Sequence, residues 1–211
     1  MIRTTVLAVF LAASFPAFAT EQAKAKPDLA KAKEIAEGVC VACHGADGNS
    51  PAAANPILAG QISEYLYKQL SNFKAADGKP AVRNNAIMGG MVAALSDEDM
   101  RNLAAYFSQQ KMKPSLAKEE KLLAEGKTLW RMGDFEKGIP ACAGCHGPAG
   151  AGLPVQYPRL AGQYAEYTAS QLKTFRSHER ANDSEKVMRT IAGKLSDHQI
   201  AAVAEYAAGL R

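Results

Sequence analysis

The sequence predicts an all-α protein built from two tandem copies of one small helical domain, and three observations carry that prediction. The motif Cys40-Val41-Ala42-Cys43-His44-Gly45 returns as Cys142-Ala143-Gly144-Cys145-His146-Gly147, and the two copies use all 4 cysteines of the 211-residue chain. Apolar residues around each copy recur at helical spacing, with no alternating strand pattern. Each half then closes on the same helix-start pattern, a serine followed three residues later by an acidic or amide side chain.

The halves align at an offset of 102 residues on the cysteine motifs. Pro56-Ile57-Leu58-Ala59-Gly60-Gln61 meets Pro158-Arg159-Leu160-Ala161-Gly162-Gln163, and Tyr65, Gln69, Leu70 and Phe73 meet Tyr167, Gln171, Leu172 and Phe175. Further on the offset is 100: Met88 meets Met188, Leu95-Ser96-Asp97 meets Leu195-Ser196-Asp197, and Tyr106 meets Tyr206. Two residues are therefore missing from the polar stretch between Phe175 and Met188. Two copies make a duplicated domain and not a solenoid, which needs at least three stacked units to bury a continuous core.

Taken in order, residues 1–19 read as a secretory signal: Arg3 gives a positive start, Val6 to Phe15 an apolar stretch, and Ala17-Phe18-Ala19 a small-residue cleavage pattern. That stretch falls short of the ~20 residues a membrane-spanning helix needs. The first domain is placed at 20–108, a linker at 109–119 and the second domain at 120–211. In the first domain Leu29, Ala32, Ile35 and Ala36 form the apolar stripe of a helix leading into the cysteine motif. Ile62, Tyr65, Leu66, Leu70 and Phe73 mark a middle helix from about Gln61, and Ser96-x-x-Asp99 opens the last one. The linker, with Pro114 and Ser115 inside it, carries no repeated feature. Leu122, Leu123, Leu129 and Trp130 then form the stripe that enters the second motif, and Ser196-x-x-Gln199 opens the final helix. Each domain has fewer than about 100 residues, a size at which an apolar core is marginal unless something else fills it.

Charge excludes some functions. Residues 20–113 carry eleven basic against ten acidic side chains, and residues 114–211 thirteen against eleven. No basic run is long enough to grip nucleic acid, and lysines such as Lys31 and Lys33 read as a solvated helix face.

A Cys-x-x-Cys-His run is the attachment signature of a c-type haem. Cys40 and Cys43, and again Cys142 and Cys145, would add to haem vinyl groups as thioethers, and His44 and His146 would each supply one axial iron ligand. A ligand needed on the opposite face of both haems should recur, and of 7 methionines only Met88 and Met188 do so, each eight residues before a capping serine in what reads as a loop. Met91 is the alternative in the first half; it faces Ile191, and Met100, Met112 and Met132 also lack a methionine counterpart. A thioether favours ferrous iron and raises the potential. With both axial positions filled, the iron passes electrons and does little bond chemistry, so no catalytic residue is assigned.

Pro56 and Pro158 each follow their histidine by twelve residues. Such a proline constrains a loop, and its carbonyl can also fix the imidazole by accepting a hydrogen bond from the nitrogen that does not bind iron. His178 and His198 have no histidine partner in the first half and read as surface residues, while Tyr65 and Tyr167 read as core or haem-edge packing and not as redox-active radicals. A four-cysteine zinc site would bring the two motifs together, but each heads its own complete repeat. A thioredoxin-like dithiol would need flanking strands that the pattern lacks.

The ordered set of signal segment, Cys-x-x-Cys-His-Gly motifs, Pro-x-Leu-Ala-Gly-Gln segments, repeated methionine and Ala105-Tyr106-Phe107 resembles class I cytochromes c, and among these the dihaem cytochrome c4 family. The resemblance implies two class I domains, each wrapped around one covalent haem c, with the propionates facing one another. It also implies a periplasmic carrier, soluble or loosely attached to the membrane surface. Such a carrier passes single electrons between redox protein partners, from a quinol-oxidising complex to a terminal oxidase, without nucleic acid and as a monomer, with a dimer left open. The alternative is a dihaem cytochrome subunit of a flavin-dependent sulfide dehydrogenase or another periplasmic dehydrogenase complex; a dihaem peroxidase would need one open iron. Class I cytochromes often pack a glycine of the first helix on an aromatic residue of the last. Gly126 and Tyr206 can supply this, whereas the first half offers Ala32 or Lys33.

Overall fold

The computed structural model describes residues 26–76 and 78–211, so the expected signal segment lies outside the described residues. In the first half, α1 (Leu29–Ile35) runs through one π turn (Ala36–Cys40) into α2 (Val41–His44). It is followed by α3 (Ser63–Phe73), α4 (Ala86–Val92) and α5 (Asp97–Ser108). The second half repeats the order with α6 (Glu120–Met132), α7 (Ala143–His146), α8 (Ala165–Arg176), α9 (Val187–Ala192) and α10 (Asp197–Gly209). Among the described residues there are isolated bridges and no named strand.

Local chemistry sets the helix starts. Asp28 accepts from Lys31 N at the head of α1, and Asn85 accepts from Met88 N at the head of α4. Both capping boxes form in full, Ser96 with Asp99 and Ser196 with Gln199. The middle helix opens at Ser63, not at Gln61, because Ile62 is extended (φ −60°, ψ 125°) and the Gln61 side chain is committed elsewhere.

In each half the first helix packs across the last. Cys40 Sγ lies 4.0 Å from Ile35 O and Cys142 Sγ 3.8 Å from Leu129 O, which pairs Ile35 with Leu129, Ala32 with Gly126, and Ala36 with Trp130. A Cβ on Gly126 would lie 2.2 Å from Ala202 O and 2.7 Å from Tyr206 Cβ, so the α6–α10 crossing requires glycine. The α1–α5 crossing accommodates the fully buried methyl of Ala32. Five residues separate the sulfur from its carbonyl in the first half and thirteen in the second. The π turn closes the short path; the long one leaves α6 at Gly133 (φ 75°) and returns through the Asp134–Ile139 bridge.

The connection between the halves is not a free tether. Asn49 donates to Lys111 O (3.0 Å) and accepts from Lys113 N (2.7 Å), which ties it to the first half. Ser115 N reaches Gly162 O (2.8 Å) and Lys118 N reaches Glu205 Oε2 (2.8 Å), which tie it to the second. Gly162 has φ 73°, and a Cβ there would lie 2.6 Å from Pro114 Cβ.

Two stability predictions follow from these contacts. Gly126→Ala should cost about 2 kcal/mol by overpacking against backbone that cannot yield, read as a lower denaturant midpoint of the holoprotein. The Asp99 carboxyl, bonded by Lys31 and Ser96, is held at about 2, below its ordinary 3.8. Its contribution is therefore complete above the ordinary value and lost as pH falls through about 2, and the stability gap between wild type and Asp99→Asn should narrow between pH 4 and 2.

Candidate haem sites and the seam between them

The single turns α2 and α7 present the cysteine motifs and end at glycines with positive φ, Gly45 (73°) and Gly147 (80°). His44 and His146 are each 7% exposed, and their Nδ1 atoms lie 3.0 Å from Pro56 O and Pro158 O. A carbonyl cannot donate, so the ring proton sits on Nδ1 and Nε2 keeps a lone pair free. Burial lowers the pKa of both rings, and the proline hydrogen bond partly opposes it, so neutral imidazole is favoured. Burial likewise pushes the Cys40 and Cys142 thiols up to about 11.

One continuous cavity of about 850 Å³ runs through both halves. Cys40, Cys43, His44, Pro56 and Met88 line it from the first half, and Cys142, Cys145, His146, Pro158 and Met188 from the second. The structure thus brings every sequence-predicted site residue to one space. Met88 and Met188 stand on α4 and α9, where a loop was expected; both are short helices, of seven and six residues, below the length that periodicity reveals. Met91, also on α4, reaches the same cavity and is 46% exposed, whereas Met100 is buried in the core and Met132 is exposed. His178 and His198 are exposed, the latter 2.8 Å from Glu125.

Sequence reasoning missed the seam between the halves. Arg83 and Arg180 are both buried there, and among the described residues no salt bridge reaches either. Arg83 bonds Gln69 (2.7 Å) in its own half, and Gln171 (2.6 Å) and Tyr167 (3.3 Å) in the other. Arg180 answers with Gln171 (2.9 Å) in its own half, and Gln69 (3.1 Å) and Tyr65 (2.9 Å) across the seam. Against burial, which raises it, the charges of Arg180 and Arg83 pull the Tyr65 phenol below its ordinary pKa. Each guanidinium lies over its own phenylalanine, Phe73 at 4.5 Å and Phe175 at 4.4 Å. Their amides occupy equivalent places too, Arg83 N on Asn72 O and Arg180 N on Thr174 O. Arg83 follows Phe73 by ten residues and Arg180 follows Phe175 by five, so alignment hides the equivalence.

Two buried cations with no carboxylate at salt-bridge distance are costly unless an anion joins them. Haem c brings two propionates, and both arginines border the cavity that the cysteine motifs enter, so the donor set fits the group. Paired thiols, a neutral imidazole, a repeated thioether and buried guanidiniums, twice over on small helical domains, define a two-centre c-type cytochrome.

Comparison with known proteins agrees. The cytochrome c family model matches residues 29–111 and 123–210. Cytochrome c4 of Pseudomonas aeruginosa is 47% identical over 86% of this chain and 88% of its own length. The thiosulfate dehydrogenase electron acceptor of Thiomonas intermedia is 40% identical over 98% of this chain and 91% of its own. The crystal structure of reduced recombinant cytochrome c4 from Pseudomonas stutzeri superposes with a TM-score of 0.81 at 42% identity, covering 88% of this chain and all of that one. The chain belongs to the cytochrome c family, and within it to the dihaem cytochromes c4; it is an electron-transfer protein with two covalently bound haem c groups and redox protein partners.

The buried guanidiniums give a direct test. Arg83→Met or Arg180→Met removes a positive charge beside the centres, which favours ferric iron. The potentials should fall by tens of millivolts, on the scale of about 59 mV per tenfold change for one electron, as read by redox titration.

Proposed function

We propose that His44 and Met88 hold the first iron axially and His146 and Met188 the second, with thioethers at Cys40, Cys43, Cys142 and Cys145. The observation that carries this reading is the shared cavity, which all eight side chains line. Each haem c supplies one reversible Fe(II)/Fe(III) electron. The histidines are held in the tautomer that leaves Nε2 free, by the Pro56 and Pro158 carbonyls. Met88 and Met188 would close the iron face opposite each histidine to oxygen and peroxide, which suits an electron carrier and not an enzyme. Apolar walls including Leu66, Phe73, Leu172 and Leu195 would exclude water from the haems, and Arg83 and Arg180, at the same cavity, would neutralise their propionates.

The first domain at 20–108, the linker at 109–119 and the second domain at 120–211 then act as one relay in the periplasm, between a quinol-oxidising complex and a terminal oxidase. Export is supported by the pattern of residues 1–19, and no helix among the described residues is long and apolar enough to cross a membrane. A second reading has its own support: the similarity to a thiosulfate dehydrogenase electron acceptor over 98% of the chain makes a periplasmic dehydrogenase a candidate donor. Rapid mixing separates the two. Fast oxidation of the reduced protein by oxidase-containing membranes, with no acceleration of a purified dehydrogenase, supports the respiratory route; the reverse pattern removes it.

The axial ligands are tested by Met88→His and Met188→His. Each should lower the potential of one haem by a sizeable share of the roughly 0.8 V that axial-ligand identity spans, and abolish the sulfur-to-iron charge-transfer band of that haem alone. Unchanged potentials with the band intact would reject the assignment.

A further inference from the structure

We propose that Gln163 and Gln61 are positioning residues that act crosswise, each setting the donor strength of the axial histidine in the opposite half through the peptide group to which that histidine is hydrogen-bonded. This rests on His44 and His146 being the iron ligands, as proposed above.

The His44 ring donates through Nδ1 to Pro56 O at 3.0 Å. The N–H of that same peptide group belongs to Ile57, and it donates to Gln163 Oε1 at 3.0 Å, across 106 residues of chain. Gln163 Nε2 returns a bond to Ile57 O at 2.9 Å. The second half mirrors this: His146 donates to Pro158 O at 3.0 Å, Arg159 N to Gln61 Oε1 at 2.9 Å, and Gln61 Nε2 to Arg159 O at 2.9 Å. The oxygen must face the backbone N–H and the nitrogen the backbone carbonyl, so partner chemistry fixes both amide orientations. Gln61, Gln163 and Ile57 are all buried, which leaves little water to replace a lost bond.

A peptide group is one conjugated unit, so a bond accepted from its N–H moves electron density onto its carbonyl oxygen. Hydrogen bonds in such a chain strengthen one another, by about 10–30% each. Pro56 O becomes a better acceptor for the His44 ring because Gln163 holds Ile57 N–H, and the ring becomes a stronger donor at Nε2. A stronger donor favours ferric iron. Loss of Gln163 should therefore raise the potential of the haem attached at Cys40 and Cys43, and loss of Gln61 that of the haem at Cys142 and Cys145.

The test uses full-length holoprotein with both haems, carrying Gln163→Met or Gln61→Met, which keeps an apolar stem of similar length. Redox titration followed haem by haem through assigned NMR haem-methyl resonances should show the crossed pattern, with the other haem unmoved. Proton exchange at Nδ1 of the affected histidine should accelerate severalfold. Tyr164→Phe is the control: it removes another bond across the same seam, Tyr164 Oη to Ser50 O at 2.6 Å, and leaves both peptide groups intact. Equal shifts in both haems, shifts in the same half, no shift, or a Tyr164→Phe variant that reproduces them would each overturn the proposal. Should Gln163→Met not fold, Gln61→Met carries the test alone: a rise confined to the haem at Cys142 and Cys145 supports the proposal, and its absence overturns it. Failure of the ligand reading is separately visible, as absence of hyperfine-shifted ring resonances from His44 and His146 in the wild type.

Discussion

Neither half of this chain has a core that closes on its own. The large buried side chains Leu66, Phe73, Val92, Leu103 and Phe107 of the first half border the shared cavity, and Trp130, Leu195 and Val203 border it from the second. A domain of this size buries too little apolar surface to stand without a filler. The haem is therefore as much core as cofactor, and the short helices α2, α4, α7 and α9 make sense as walls of its site more than as independent elements. Isolated helices of four to seven residues are not stable in water, and what holds these is the tertiary packing around the cavity.

The seam obeys a different logic from the cores. Its bonds are polar, buried and reciprocal: Gln61 and Gln163 exchange backbone bonds with Arg159 and Ile57, while Arg83 and Arg180 exchange side-chain bonds with Tyr167 and Tyr65. A buried polar network stabilises only when all its members are satisfied, and then it selects one arrangement over its neighbours. The duplication supplies that satisfaction, because each half offers the other the same donors and acceptors about an approximate twofold relation. The linker adds to this, since its Asn49, Gly162 and Glu205 contacts hold it against both halves.

Much of this could be read from the sequence, for reasons specific to particular residues. The capping serines Ser96 and Ser196 announced the last helices because a capping box depends on residues three apart. The Pro56 and Pro158 bonds were foreseeable because the repeat kept their distance from the histidine constant. Gly126 against Tyr206 was legible as a small-residue crossing. The arginine pair was not, because Arg83 and Arg180 lie at unequal distances from Phe73 and Phe175, and because nothing local says that a surface-type residue will be buried. The glutamines were visible as part of a repeated segment, but their partners lie 98 and 106 residues away, beyond any periodicity.

The two haem sites repeat the same motif, and their surroundings differ in kind. Trp130, hydrogen-bonded to Pro148 O, lies 6.4 Å from the His146 ring, while the equivalent place beside His44 holds Ala36. A half-buried Asp183–Arg189 pair links the stretch after Arg180 to the residue following Met188 in the second half, and no salt bridge among the described residues occupies the corresponding stretch of the first. The chain enters the first motif through a π turn and the second through the Gly133 excursion. These are differences in dielectric, charge and backbone setting, levers that act on a potential beside ligand identity. A symmetric seam thus joins two asymmetric sites: the duplication keeps the halves docked, and divergence outside the seam gives the two centres unlike environments.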